Sequence, residues 1–190
     1  MMNPPACVAT QTLRRRLDDP GDGFWVIPRP RDADVCLGSI NLSVGNTFLI
    51  ARHSYESSIR ATRPPHFQRL YDEVRLQGDA LITIQPRQFV LAATREYIAL
   101  PKDLCGFLQS RSSFGRLGLI AATATFVTAG YKGCPTLEIV NVGEAPVQVA
   151  PGDPICQLVL LNADEQEGDL RPSRYQCATR PYAALPDVWM

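Results

Sequence analysis

Apolar residues fall in short runs along most of the chain, separated by glycine, proline or asparagine. Segments 80–84 (ALITI), 89–94 (FVLAAT), 105–110 (CGFLQS), 136–142 (TLEIVNV), 146–150 (PVQVA) and 154–161 (PICQLVLL) have strand length and strand composition. INLSVGNTFLI at 40–50 has the same character, with Gly45-Asn46 set inside it as a turn or bulge. Thr10–Leu17 (TQTLRRRL) reads as a helix that Thr10 or Thr12 could cap, and 67–76 (FQRLYDEVRL) reads as helix or loop. Strands at this spacing, with few helices between them, predict an all-β fold: a barrel or sandwich, with the jelly roll among the options. The polar stretch 51–79, broken by Pro64-Pro65, reads as a long surface excursion.

A length of 190 residues suits one domain, 1–190. Lysine plus arginine equals aspartate plus glutamate at 19 each, so no overall field draws the chain to nucleic acid or to an anionic membrane. Any phosphate binding must therefore be local. GLIAATATFVTAG at 118–130 is too short and too rich in threonine and alanine to span a bilayer, and MMNPPACVATQTLRRRLDD has no apolar stretch of a secretory signal. The expectation is a soluble, cytoplasmic protein with neither nucleic acid nor membrane as partner. The cysteines at 7, 36, 105, 134, 156 and 177 are widely spaced and form no CxxC pair, so reduced, mostly buried thiols are expected rather than a zinc site. His53 and His66 are the only histidines, which disfavours a histidine-based catalytic zinc.

Residues 111–119, RSSFGRLGL, concentrate two arginines, two serines and two glycines after a strand-like run. Arginine forks and serine hydroxyls suit phosphate oxygens, and glycine admits close backbone approach. A solvated polar turn at a barrel rim would have the same composition. Further on, Glu138 sits among Leu137, Ile139 and Val140. A desolvated carboxylate there would serve as a general base and acid near neutral pH, whereas the polar side of an alternating strand would leave it a surface glutamate.

The order of segments adds a resemblance. FVLAATREYIALPKDLCGFLQSRSSFGRLGL at 89–119, the Thr123-Ala124 pair, GYKGCPTLEIVN at 130–141 and PGDPICQLVL at 151–160 resemble the dCTP deaminase branch of the trimeric dUTPase superfamily. IPRP at 27–30 and GSINLSVGNTFL at 38–49 are similar to segments further upstream in that family. The resemblance implies a distorted jelly-roll barrel of the dUTPase-like type, a homotrimer with active sites between subunits, dCTP as substrate, and Mg²⁺ held through the triphosphate without zinc. It implies that Arg111, Ser112, Ser113 and Arg116 hold the triphosphate, with backbone amides around Phe114 and Gly115 assisting. It further implies that Glu138 activates water, with Ser112 and Arg116 as catalytic partners. Ala124, Thr128, Thr136 and Leu137 would line the nucleoside. Tyr175 and Arg174 would belong to a C-terminal tail, from about 165, that closes over the site. Feedback by dTTP is known in such families.

Three departures bear on this reading. Where the family has A-H-x-I-D-P-G, this chain has Ala124-Thr125-Phe126-Val127-Thr128-Ala129-Gly130, so Thr128 replaces the aspartate that dUTPases use as a base. The spacing from Arg111 to the Thr123-Ala124 pair is one residue shorter, and Ala178 stands where the tail has glutamine. Deamination of dCTP to dUTP and ammonia is the leading expectation. The alternatives are a catalytically altered nucleotide-binding homologue, a dUTPase, or an enzyme with both activities.

Overall fold

A computed structural model describes residues 7–52, 58–59, 70–121, 125–164 and 173–183. In chain order the elements are α1 (Thr10–Leu17), β1 (Trp25–Ile27), β2 (Val35–Cys36), β3 (Ser39–Leu42), β4 (Val44–Ala51), β5 (Tyr71–Arg75), β6 (Ile82–Ile84), β7 (Phe89–Thr94), β8 (Tyr97–Ala99) and β9 (Leu104–Ser110). They continue with α2 (Ser112–Gly115), β10 (Leu119–Ala121), β11 (Phe126–Val127), β12 (Lys132–Gly133), β13 (Thr136–Asn141), β14 (Val147–Val149) and β15 (Cys156–Asn162). The expected all-β fold is therefore what forms.

Two five-stranded sheets, β10-β13-β7-β4-β5 and β11-β9-β15-β3-β2, supply most of the structure, with β1-β8-β12 and β14-β6 as smaller sheets. Strict alternation in β13 and β15 sends Leu137, Ile139, Leu158 and Leu160 into the common core with Phe24, Phe48 and Leu108. The run at 40–50 divides at Ser43 between the two large sheets, and its pairing to β7 shifts register between Val44 and Phe48, so the expected irregularity at Gly45-Asn46 is a bulge. No helix of the described residues is long and apolar enough to cross a membrane.

Several local expectations are corrected. Tyr71–Arg75 is neither helix nor loop: it pairs with β4 as an edge strand, where Asp72 and Glu73 face water. The α1 N-cap is Ala9, without a side-chain cap; the helix is held instead by buried Leu13 and by Arg16, which pairs with Asp22 at 2.7 Å and with Asp103 at 2.9 Å. The cysteines are all free, but only Cys134 and Cys156 are buried, because the 7, 36 and 177 positions fall on surface segments.

Two buried polar groups lock the sheets together. Glu96 is 6% exposed, and its Oε2 accepts the Ser43 N–H at 2.7 Å. Burial raises its pKa against the opposing effect of that hydrogen bond. Asn141 is fully buried; its Nδ2 donates to the Ile84 and Ala145 carbonyls at 2.9 and 2.8 Å, and its Oδ1 accepts the Gly143 N–H at 2.9 Å. Asn141→Ala should therefore cost about 3 kcal/mol, at about 1 kcal/mol per hydrogen bond with further loss from orphaned carbonyls. Urea unfolding checks this, and a loss below about 1 kcal/mol would contradict it.

Glu96 yields a pH prediction. A raised folded pKa means that the folded protein holds this proton more tightly than the unfolded chain, so stability falls as pH rises from the ordinary value of 4.5 through the folded value. Glu96→Gln removes that component. The stability of wild type minus variant should decline across that window, and a flat difference from about pH 4 to about pH 8 would contradict the assignment.

Candidate functional site

β9 ends at Ser110, whose hydroxyl accepts the Ala121 N–H at 2.7 Å and donates to the Ala121 carbonyl, tying the start of the 111–119 segment to β10. Arg111 then caps a single helical turn, α2. Its N–H donates to Ile155 O at 3.2 Å, and its Nη1 donates to Pro154 O at 3.1 Å. The guanidinium is thereby oriented while its other N–H groups stay available. Ser112, Ser113, Gly115 and Arg116 are exposed, and Phe114 packs against the main core and anchors the turn.

One expectation fails here. The N–H groups of Phe114 and Gly115 both donate to Arg111 O at 3.0 Å, so they are engaged inside the turn. The amides that a helical turn leaves without an internal acceptor are those of Ser112 and Ser113. The exit of the turn needs glycine: Gly118 has φ +83°, and a Cβ there would lie 2.6 Å from Gly143 N. Leu117, Ile120 and Val142 form an exposed apolar border beside it, at 60%, 38% and 58% exposure.

A second set of residues meets elsewhere. Thr128, Thr136 and Tyr175 share a cavity of about 360 Å³ with Leu108, Phe126 and Tyr131. Burial pushes the Tyr131 phenol well above its ordinary pKa, with neighbouring Cys134, Tyr97 and Cys177 adding to the effect. Tyr175 reaches the cavity because the C-terminal segment docks on the barrel: Cys177 N–H donates to Lys132 O at 2.7 Å, Cys134 N–H to Ala178 O at 2.6 Å, and Tyr182 N–H to Thr136 Oγ1 at 3.2 Å. Arg174 is exposed on the same segment.

Glu138 is half-buried and points to the outer side of β13, the side that also carries Thr136. Two residues of strand separate them, about 7 Å. Cross-strand from Glu138 is Leu91, in a small apolar cluster with Leu49, Ala183, Phe89 and Tyr71. Burial raises the Tyr71 phenol, and the nearby Glu138 carboxylate raises it further. Leu137, expected among the ligand-binding residues, is fully buried on the opposite side of β13, so its side chain belongs to the core. Ala124 lies outside the described residues.

The turn and the cavity are separate surfaces of one chain: no residue of 111–116 is among the described residues that line the cavity. Tyr71, Tyr131 and Phe126 escaped the sequence reading. Tyr71 lies in the 67–76 segment expected as helix or loop, and Tyr131 and Phe126 carry no motif of their own that marks them. Among the described residues, no three His, Cys, Asp or Glu side chains converge.

Both the sequence and the fold match known proteins. The profile of the dCTP deaminase-like family matches residues 8–163. The "dCTP deaminase, dUMP-forming" of Persephonella marina is 41% identical over 160 residues, covering 84% of this chain and 82% of that protein. The "dCTP deaminase" of Natronomonas pharaonis is 34% identical over 177 residues, covering 90% of each. Among solved structures, the 2'-deoxycytidine 5'-triphosphate deaminase of Agrobacterium tumefaciens superposes with a TM-score of 0.64 at 21% identity over 83% of this chain. This chain spans about half of that one, 48%. The chain belongs to the dCTP deaminase family, and its fold is dUTPase-like.

Proposed function

We propose that this protein hydrolytically deaminates dCTP to dUTP and ammonia, without zinc. The observation that carries the reading is Glu138: a half-buried carboxylate beside Leu91 and Tyr71, on the same strand face as Thr136 and its cavity. A base in that position takes a proton from water as the water's oxygen attacks C4. Relayed by Glu138, one water proton goes to the ring nitrogen and the other to the amino group, which leaves as ammonia while its C4–N bond breaks and the oxygen stays on C4 as a carbonyl. The names of the relatives support the substrate.

Thr128, Thr136 and Tyr175 hold the nucleoside, Thr128 as a hydroxyl partner of the sugar. Arg111, Ser112, Ser113 and Arg116 hold the triphosphate, with Arg174 assisting from the tail. These donors are cationic or hydroxylic and suit phosphate oxygens rather than a metal ion, so Mg²⁺ arrives with the nucleotide and offsets the phosphate charge. Because turn and cavity are separate on one chain, two copies complete each site, and the apolar border of Leu117, Ile120 and Val142 suits a subunit contact. A homotrimer is the assembly we favour, cytoplasmic in location, with dTTP as a feedback ligand.

A second reading, release of dUMP, is favoured by the "dUMP-forming" relatives, including one from Sulfurihydrogenibium that is 40% identical. Against it, threonine at 128 cannot act as a carboxylate base.

Purified protein with dCTP and Mg²⁺ should yield dUTP and ammonia on chromatography, without dUMP. Appearance of dUMP would favour the second reading, and unreacted dCTP that still binds would favour a non-catalytic homologue. Glu138→Gln should lower kcat by at least about 10²-fold, the low end of a general base's contribution, while leaving dCTP affinity within about threefold. Near-normal turnover in that variant would contradict the role given to Glu138.

A further inference from the structure

We propose that a cleft distinct from the nucleoside cavity is a binding site for a phosphate-bearing anion, gripped by Arg95 from the barrel and Arg180 from the C-terminal segment. The cleft has a volume of about 360 Å³ and lies between the start of β4, the 150–153 turn and residues 179–181. Asn46, Thr47 and Thr179 add an amide and two hydroxyls to the two guanidinium groups, and the cleft shares no lining residue with the Thr128 cavity.

Both arginines are held by backbone. Arg95 N–H donates to Ser43 O at 2.7 Å, which fixes its Cα. Arg180 lies between two points where the C-terminal segment is tied down: Cys134 N–H to Ala178 O at 2.6 Å, and Tyr182 N–H to Thr136 Oγ1 at 3.2 Å. The 150–153 turn forms the wall of the cleft beside Arg95. Pro151 and Gly152 occupy its central positions, Asp153 N–H closes it on Ala150 O at 3.1 Å, and Gly152 adopts φ +94°. A Cβ on Gly152 would stand 3.9 Å from Arg95 Nη1.

Among the described residues no carboxylate lines the cleft, and neither Arg95 nor Arg180 lies within ion-pair distance of one. Glu96, whose carboxyl feels the Arg95 charge, has its Oε2 on Ser43 N–H, and Asp153 Oδ2 accepts Ala150 N–H at 2.8 Å. Two arginines lining one cleft offer planar forks that match the oxygens of a phosphate group, which can take a bidentate pair from each. The volume lies at the low end of the ~300–1,000 Å³ range of small-molecule sites and fits a short phosphate chain. The ligand is inorganic polyphosphate or the phosphate end of a nucleotide. Because Arg180 and Tyr175 share one docked segment, an anion in the cleft steadies the segment that also lines the nucleoside cavity, and by linkage each ligand tightens the other.

The test uses full-length protein carrying Arg116→Ala, so that the 111–119 turn contributes little, and calorimetric titration with inorganic triphosphate. Adding Arg95→Gln or Arg180→Gln should weaken the remaining triphosphate binding at least tenfold while the thermal midpoint stays unchanged. A parallel titration with dCTP separates the sources: loss of dCTP binding on adding Arg95→Gln identifies a nucleotide phosphate, and loss confined to inorganic triphosphate identifies the free anion. Equal triphosphate affinity with and without Arg95 and Arg180, or no binding in the Arg116→Ala protein, would overturn the proposal. Neither result depends on whether the protein deaminates dCTP.

Discussion

The buried carboxylate of Glu96 on the Ser43 N–H is the joint on which the rest of the structure depends. Ser43 is where the chain leaves one large sheet at β3 and enters the other at β4, and Glu96 is where it leaves β7 for β8 in a third sheet. Around that contact Arg95 N–H donates to Ser43 O, Thr94 Oγ1 donates to Glu96 O at 2.7 Å, and Thr94 N–H donates to Pro135 O at 2.9 Å. These hydrogen bonds satisfy the polar groups named at the crossing, and burial raises the Glu96 pKa. β13 follows directly from Pro135, so the strand that carries Thr136 and Glu138 takes its position from this joint.

Asn141 does the same work at the other end of β13. Its amide gathers the carbonyl that ends β6 and one that precedes β14, and Gly118 closes on Gly143 beside it, so the Arg-Ser-Ser turn leaves the barrel at a fixed place. Between these two anchors the strand has no freedom to slip by one residue, a slip that would turn Glu138 into the core and Leu137 out. Along β13 the two faces are distinct: Leu137, Ile139 and Asn141 are buried, and Thr136, Glu138 and Val140 lie on the outer side.

Much of this was legible in the chain. The strands at 136–141 and 156–162 stand out because alternation agrees with their burial, the strand at 89–94 because it is a short apolar run buried on both faces, and the Gly45-Asn46 irregularity announced itself through glycine inside an apolar run. Tyr71–Arg75 was misread because an edge strand needs only one apolar face and tolerates charge on the other, so its pattern mimics a polar helix. The Arg-Ser-Ser turn and Glu138 stood out in the chain through motif order, and family membership follows the same order. The cavity was not, because Tyr131, Phe126 and Tyr175 come together only when the C-terminal segment docks through backbone hydrogen bonds, which carry no residue signature. The Arg95–Arg180 cleft was hidden for the same reason.

In the proposed assembly the turn of one subunit serves the glutamate of another. Co-expressing Arg116→Ala and Glu138→Gln chains, each inactive alone, tests it most directly. If sites form between subunits, random mixing places an intact turn against an intact glutamate in about a quarter of them, so activity should return to about a quarter of wild type. Mixed assemblies, verified by differential tags, that stay as inactive as either parent would contradict the account.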